Sequence, residues 1–565
     1  MDATKGNIFS ILNGNKQFLI PVYQRFYSWD KEHCERLWKD IVEMQKKNKN
    51  GHFVGSIVNI AEKAMATGVQ KFMIIDGQQR MTTLTLLLIA LRDYSIEHPE
   101  DKSINTRRID SMLLKNEYEE GDEKYKLLLT ETDRETLINI VDRIPIERET
   151  SSKIKKNYQF FMQKIDKMEI TPAEIYESIG KLQIVNITLD RELDDAQAIF
   201  ESLNSTGKEL SEADLIRNHV LMKLNPKEQE KIYRTFWRPM ELLFEYYPQE
   251  NVMDRFFRDY LTAKLGKIPN INKVYEEFKR YNIEYVTEVE ELCNDLIVYA
   301  RYYSDIIFCK SKDEQVKELY KDINNLKMEV SYPFLLKIHN DYKNELISYE
   351  EFVEILKLCI SYVFRRSVCE IPTNSLNKTF ATAKNEIDSK NYLASVKNFF
   401  ITRDSYKRFP DNDEFEIAFR NRDFYRMKTR NYVLEKLENY NNKVGVIVEN
   451  HTVEHIMPQN KNLNKEWQSA LGNNWREVQK KYLHTIGNLT LTSYNSEMSD
   501  KSFMEKMTME GGFKESALRL NRYVINQTEW NAEKIEERAK QLSDLAIKIW
   551  EYPNIDGKQQ QIMDI

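Results

Sequence analysis

The sequence predicts an α+β chain that is predominantly helical, and three observations lead there. Only 16 Gly and 13 Pro stand against 26 Phe and 31 Tyr in 565 residues, a composition of long helices with few tight turns. From about residue 226 to 410, amphipathic stretches dense in aromatics succeed one another, as in YRTFWRPMELLFEYY and VEELCNDLIVYARYYSDIIF. Strands are expected at His52–Ile60, Phe72–Ile75 and Leu182–Leu189, where apolar and β-branched residues run together. A chain of this length should hold roughly two to four domains.

The organising stretch is Lys71–Arg92, KFMIIDGQQRMTTLTLLLIALR. It reads as a buried strand (Phe72, Met73, Ile74, Ile75), a polar turn (Asp76, Gly77, Gln78, Gln79, Arg80), and a helix in which Leu84, Leu87, Leu88 and Leu91 recur at helical spacing. Gly77 allows the turn. The helix-start amides expected at Met81, Thr82 and Thr83, with the charge of Arg80 beside them, make a place for an anion, and a phosphate fits. A plain cap by Asp76 with a surface arginine is the other reading of these residue types.

Upstream, Ile20–Trp29 (IPVYQRFYSW) is expected to be extended, because of Pro21 and its aromatic density. Arg25, between Tyr23 and Phe26, is a candidate second cation for the Arg80 pocket, with Gln24 as its polar neighbour. A helix is expected over about Lys31–Lys46, with Leu37, Trp38, Ile41 and Met44 on one side. Beyond the strand Leu182–Leu189, Ala196–Leu221 reads as a helix ending near Asn204, a turn at Ser205-Thr206-Gly207, and a helix capped by Ser211 that carries Asp214 and Asn218 on one face. The aromatic stripe of the middle region is read as core. RRSVCEIPTNSLNKTF, Arg365–Phe380, interrupts that pattern.

Near the C-terminus, Arg422, Arg426 and Arg430 recur every four residues in an expected helix, the best basic face in the chain and a candidate contact for DNA phosphates. A solvated helix face explains the spacing as well. Downstream lies VEHIMPQ, Val453–Gln459, followed by HTIGNLTLTSYN, His484–Asn495. Hydrolysis of a phosphodiester needs a base for water and a divalent cation for the phosphate charge. Glu454 and His455 supply one group of each kind, and Asn488 or Asn495 can add a neutral oxygen ligand, a set that suits Mg²⁺ (or Mn²⁺).

Composition excludes other classes. The net charge of −6 argues against a protein that coats nucleic acid, though not against a local basic groove. The five scattered cysteines, with no C-x-x-C, suggest neither disulfide framework nor zinc ribbon. No run is long enough to span a bilayer and no export signal is read, so the expected compartment is the cytoplasm, with no membrane partner.

Together IPVYQRFYSW, FVGSIV, IIDGQQRMTTLTLLLIAL, IFESLNSTGKELSEADLIRN, VEHIMPQN and IGNLTLTSYN resemble the GmrSD family of modification-dependent (type IV) restriction systems, to which the phage-defence proteins SspE and BrxU are related. The DGQQR stretch looks like the D-G-x-x-R motif of the ParB and sulfiredoxin-like fold, and VEHIMPQ like the opening of an HNH, or ββα-metal, nuclease. The resemblance implies a nucleotide-binding domain over 1–225, a helical connecting region over 226–410 and an HNH nuclease domain over 411–565. It implies a nucleoside triphosphate bound, and hydrolysed, by Tyr23, Gln24, Arg25, Asp76, Gly77, Gln78, Gln79, Arg80, Thr82 and Thr83. In the nuclease it implies Glu454 and Asn495 as Mg²⁺ ligands, His455 as base and Asn488 as the residue that orients the loop. The final HNH position is Asn495 rather than His, which leaves open which Asn touches the metal. The implied partner is double-stranded DNA, modified phage DNA above all, and a homo-oligomer stays open. A nucleotide or modified-DNA sensor without NTPase activity, and an RNA-directed HNH toxin, are the alternatives.

Overall fold

The computed structural model describes residues 1–62, 68–145, 152–190, 194–204, 210–245, 251–442, 445–446 and 451–554. The chain is α+β and predominantly helical, and it divides into two compact units, Met1–Pro239 with Phe278–Cys293, and Met240–Glu277 with Asn294–Ile565. Among the described residues no helix is long and apolar enough to cross a membrane, and all five cysteines are free thiols.

The first unit is built on a six-stranded mixed sheet. Its strands are β1 (Asp2–Asn7), β2 (Lys16–Leu19), β3 (His52–Ala61), β4 (Gln70–Asp76), β5 (Leu127–Leu128) and β6 (Leu182–Leu189), in the order β1-β6-β3-β4-β2-β5. β3 pairs in parallel with β6 and antiparallel with β4, so β4 and the turn that follows it lie inside the sheet, not at its edge. Helix α1 (Lys31–Lys46) buries Leu37, Trp38, Ile41 and Met44, as the spacing predicts. Helix α2 (Gln78–Glu97) is buried on all sides, because Leu84, Leu86, Leu87, Leu88, Ile89, Ala90 and Leu91 leave no polar face. It packs against α3 (Ser152–Asp166), and its one buried cation, Arg92, is satisfied by Asp93, by Asp110 at 2.6 Å and by the carbonyl of Val141 at 2.8 Å.

Helix α2 begins at Gln78, not at Met81 as expected. Gly77, at φ 90°, turns the chain in one residue, and Gln78, Gln79 and Arg80 are good helix formers, so the helix starts at once. The amides without intrahelical acceptors are therefore those of Gln78, Gln79 and Arg80, while Met81 already donates to the Gly77 carbonyl at 2.9 Å. After α4 (Pro172–Lys181) and β6, α5 (Ala196–Asn204) and α6 (Glu212–Leu221) stand where the sequence puts them, and the Ser211 hydroxyl accepts from the Asp214 amide. The turn expected at Ser205-Thr206-Gly207 lies outside the described residues.

In the second unit the aromatic stripe is core: Phe256, Phe257, Tyr260, Tyr299 and Tyr303 are buried. The Arg365-Arg366 pair ends α7 (Tyr349–Val368) and is also buried, held by carbonyls of Trp550, Pro410, Tyr406 and Pro372. The single basic helix expected through Arg422, Arg426 and Arg430 does not form. Helix α8 (Asn412–Asn421) stops at Arg422, and α9 (Arg430–Asn439) starts at Arg430, with turns between. Phe424 is the reason: its ring is buried against Phe419 and its amide donates to the His484 carbonyl, so the backbone there bonds elsewhere than to a helix. Strands β7 (Thr452–His455) and β8 (Leu489–Thr492) pair antiparallel, followed by the short α10 (Asn495–Met498), α11 (Phe503–Thr508) and the long α12 (Ala532–Ile549).

A Cβ on Gly77 would lie 2.9 Å from the Ser56 carbonyl oxygen and 3.1 Å from Ile57 Cα, both backbone atoms. Gly77→Ala is expected to cost about 1–3 kcal/mol through positive φ and this clash. Gly68→Ala, at φ 123° with nothing within 4 Å, carries only the conformational part. Equal urea midpoints for the two variants would show that the close approach of β3 to the turn is not constraining.

Candidate functional site

Two polar constellations stand out, one in each unit. In the first, β4 delivers Asp76 and the Gly77 turn to the start of α2. Arg80, one turn into the helix, donates from Nη1 to the Ser56 carbonyl and lies flat over Gly55, where a Cβ would come within 2.8 Å of its Cζ. Burial lowers the pKa of Arg80, with Asp76 opposing it; burial lowers that of Arg25, with Asp214 and then Asp76 opposing it. Both cations therefore stand in the field of Asp76, with the amides of Gln78, Gln79 and Arg80 at a helix start. Two half-buried guanidiniums and these amides outweigh Asp76, the carboxylate they share, and Asp214 is paired with Arg217, so the site favours an anion.

Other residues of the expected nucleotide set support this arrangement. The Gln79 side chain accepts from the amides of Ser28 (2.7 Å) and Trp29 and donates to the Phe26 carbonyl, and so straps the extended Ile20–Trp29 segment to α2. Gln24 donates to the Ile75 carbonyl at 2.9 Å, and the Tyr23 hydroxyl reaches the Met73 sulfur at 3.8 Å. The hydroxyls of Thr82 and Thr83 are buried and turned back onto the carbonyls of Gln78 and Gln79. Two contributors were not singled out from the sequence. Gly55 makes room for Arg80. Arg217 donates to the Tyr23 carbonyl at 2.7 Å and to Asp214 at 2.6 Å, tying α6 to the Arg25 segment. Its i, i+3 spacing from Asp214 was the signal available for it.

In the second unit, β7 carries Glu454 and His455 side by side, and strand geometry sends them to opposite faces. Glu454 is 3% exposed and ion-paired with Lys506, a fully buried ammonium on α11 that also donates to the His455 carbonyl at 2.9 Å. Burial pushes Glu454 up and Lys506 down, and the pairing opposes both shifts. His455 places Nε2 3.0 Å from Nδ1 of His484, while no protein group among the described residues bonds its Nδ1. Tyr425 stacks on His484 at 5.2 Å and sets its face against the edge of His455 at 4.5 Å.

Asn488 orients the loop. Its side chain accepts from the Met457 amide (2.8 Å) and the Trp530 indole, and donates to the carbonyls of Met457 and Leu483 at 3.0 Å. All its capacity is used within the protein. Asn495 donates from Nδ2 to the Val453 carbonyl at 2.7 Å, which leaves its Oδ1 to a ligand. Among the described residues no three His, Cys, Asp or Glu side chains group as metal ligands, so a structural zinc does not fit. Asn495 Oδ1 is an oxygen of the kind a magnesium-type ion takes beside waters and phosphate oxygens, whereas the Glu454 carboxylate is held by Lys506 and would reach such an ion only on leaving that pair. Of the arginines, Arg422 pairs with Glu370, Arg430 lies over the Tyr425 ring and donates to its carbonyl, and Arg426 has 79% of its side chain in solvent.

An anion site on a sheet and an imidazole site on a strand pair are borne by separate units of a two-part protein. The family models agree: GmrSD restriction endonuclease, N-terminal domain, matches residues 8–221, and GmrSD restriction endonucleases, C-terminal domain, matches residues 409–545. The chain belongs to the GmrSD restriction endonuclease family, and it is accordingly a nuclease of the type IV restriction kind whose substrate is DNA. No curated protein matches it.

Two outcomes are expected of the imidazole site. Lys506→Met strands a buried carboxylate and should cost about 3–5 kcal/mol, most of it recovered by adding Glu454→Gln; equal unfolding midpoints for Lys506→Met and the parent would contradict the pairing. Burial, then His484 and Lys506, push the His455 imidazole down to about 3. An unfolded His titrates near ~6.5, so below that pH the unfolded chain binds a proton that the folded chain refuses. The stability contributed by neutral His455 is present above about pH 6.5 and declines as pH falls toward about 3. Its share of the slope is at most ~1.4 kcal/mol per pH unit. Urea titrations at stepped pH should show a flatter acid limb for His455→Asn.

Proposed function

We propose that this chain is a phage-defence endonuclease for modified DNA, in which the first unit binds and hydrolyses a nucleoside triphosphate and the second cuts through an HNH-type site. The observation that carries the nuclease reading is His455, a neutral imidazole on a strand pair, with one ring nitrogen anchored and the other without a protein partner. Two antiparallel strands followed by a short helix bearing Asn495 are the order that a ββα-metal site requires. In this reading His455 Nδ1 takes the proton of the attacking water, and a DNA phosphate beside it raises the basicity that burial has lowered. Asn495, with Glu454 once released from Lys506, would hold Mg²⁺ or Mn²⁺, which would supply positive charge for the phosphate and the leaving oxygen. Asn488 keeps the loop and β7 in register, and Arg426, with Arg422 and Arg430, faces the DNA backbone.

For the first unit, Arg25 and Arg80 neutralise the phosphates, the amides of Gln78, Gln79 and Arg80 donate to them, and Asp76 orients the two arginines. Gln24, Gln79, Tyr23, Thr82 and Thr83 act by holding the walls.

The test pairs plating with chemistry. Cells carrying the parent should restrict phage with modified DNA more than matched phage with unmodified DNA, and His455→Ala should lose restriction and plasmid cleavage with triphosphate hydrolysis near the parent rate. Arg80→Ala should weaken triphosphate binding about 10- to 150-fold, the worth of one charge-assisted contact. Cleavage by His455→Ala refutes the nuclease assignment, and an unchanged phosphate-release rate in Arg80→Ala refutes the nucleotide site.

A further inference from the structure

We propose that His484 is the positioning residue of the nuclease site: it accepts the Nε2–H of His455 and so fixes the tautomer in which His455 Nδ1 is free to take a proton. The inference rests on the reading of His455 as the base. It adds a residue whose sequence position, four before Asn488, shows no sign of the role.

The two imidazoles meet at 3.0 Å, Nε2 of His455 to Nδ1 of His484. Two neutral rings share one proton in such a contact, and its direction decides the chemistry. If His484 donated, the His455 proton would sit on Nδ1, and neither nitrogen of His455 could accept one from water. If His455 donates, Nδ1 carries a lone pair and the proton of His484 lies on its Nε2. Only the second arrangement makes a base. The exposures favour it, since His455 is 3% exposed while the ring of His484 is partly open, so an Nε2–H on His484 is easily hydrated.

The acceptor is held in place by more than this bond. The His484 ring stacks on Tyr425 with 10° between planes, and the same tyrosine packs on His455 at 65°. The His484 carbonyl accepts from the Phe424 amide at 2.9 Å, so the stretch bearing Tyr425 and the backbone of His484 are bonded together. Arg430, at the start of α9, lies over the Tyr425 ring at 5.1 Å and donates to the Tyr425 carbonyl at 2.9 Å. A ring fixed on one face by stacking and at its backbone by a hydrogen bond aims Nδ1 at one partner.

The test uses the full chain with two substitutions. His484→Phe keeps a flat ring for Tyr425 and removes the acceptor; His484→Asn puts an amide oxygen near the place of Nδ1. Turnover in a nicking assay, KM for DNA and the unfolding midpoint are measured, and the His455 tautomer is read by long-range ¹H–¹⁵N correlation on histidine-labelled protein. His484→Phe is expected to lose roughly 10- to 100-fold in kcat, the usual effect of removing a partner that orients an imidazole, with KM and midpoint unchanged. His455 should show Nε2–H in the parent and mixed tautomers in His484→Phe, and His484→Asn should recover most of both. Parent turnover in His484→Phe, or equal loss in both variants with the His455 tautomer unmoved, overturns the proposal. Cleavage that survives in His455→Ala overturns the underlying assignment instead, and the two failures are told apart because the tautomer is read without turnover.

Discussion

The imidazole site of the second unit hangs on a buried guanidinium that belongs to no motif. Arg538, on α12 and 1% exposed, donates to the carbonyls of Ile486, Gly487, Leu489 and Leu520. Among the described residues no carboxylate pairs with it, so its charge is met by oriented backbone dipoles alone. This works only because Gly487 has no side chain: a Cβ there would stand 2.3 Å from the Ile535 carbonyl, one turn earlier on the same helix. The loop so clamped carries Asn488, which bonds both polar backbone groups of Met457, and Met457 follows β7 by two residues. Helix, loop, amide and strand form one chain of hydrogen bonds that ends at His455. Losing any one donor leaves several buried carbonyls unsatisfied, each costing ~1–3 kcal/mol.

The anion site of the first unit is built by the opposite means. Its cations are partly open, share a single carboxylate, and are set by close backbone approach instead of saturation. Gly55 and Gly77 let β3, β4 and the start of α2 come together, and Arg80 lies in the space that a side chain at position 55 would take. A guanidinium that is not saturated keeps donors for a phosphate. One whose terminal nitrogens are taken up by several carbonyls, as those of Arg538 and Arg366 are, or whose nitrogens are each bonded, as in Arg365, is a structural member. Partner count separates Arg80 and Arg25 from these better than exposure does, since both are themselves half-buried.

The frame was legible from residues: the strand entering Asp76, the Leu-rich helix, the helix Lys31–Lys46 and the strand Leu182–Leu189 all follow from periodicity. Where the reading failed, a single local term won over a pattern. Three arginines spaced by four fit a helix template, yet the burial of Phe424 and its amide bond to His484 break the helix between them. The start of α2 was placed three residues late because polar Gln-Gln-Arg looks like a turn, whereas Gly77 alone completes it. Arg538 was not singled out, because nothing in EKIEERAKQ says which residue turns inward. Lys506 was invisible for another reason: its partner Glu454 lies 52 positions away, and only tertiary structure joins them.

Glu454 and His455 are neighbours in β7 with different partners, because neighbouring residues of a strand point to opposite faces. On one face the carboxylate meets Lys506 in the dry interior, on the other the imidazole meets His484 and Tyr425. The two faces communicate through the backbone, because Lys506 also bonds the His455 carbonyl and thereby fixes the strand that carries the base. The ion pair therefore acts on the imidazole as a brace and as a nearby positive charge, one of the causes that keep His455 unprotonated. An imidazole kept neutral by burial and nearby positive charge gains basicity when an anion comes close, because the opposite charge favours the protonated ring.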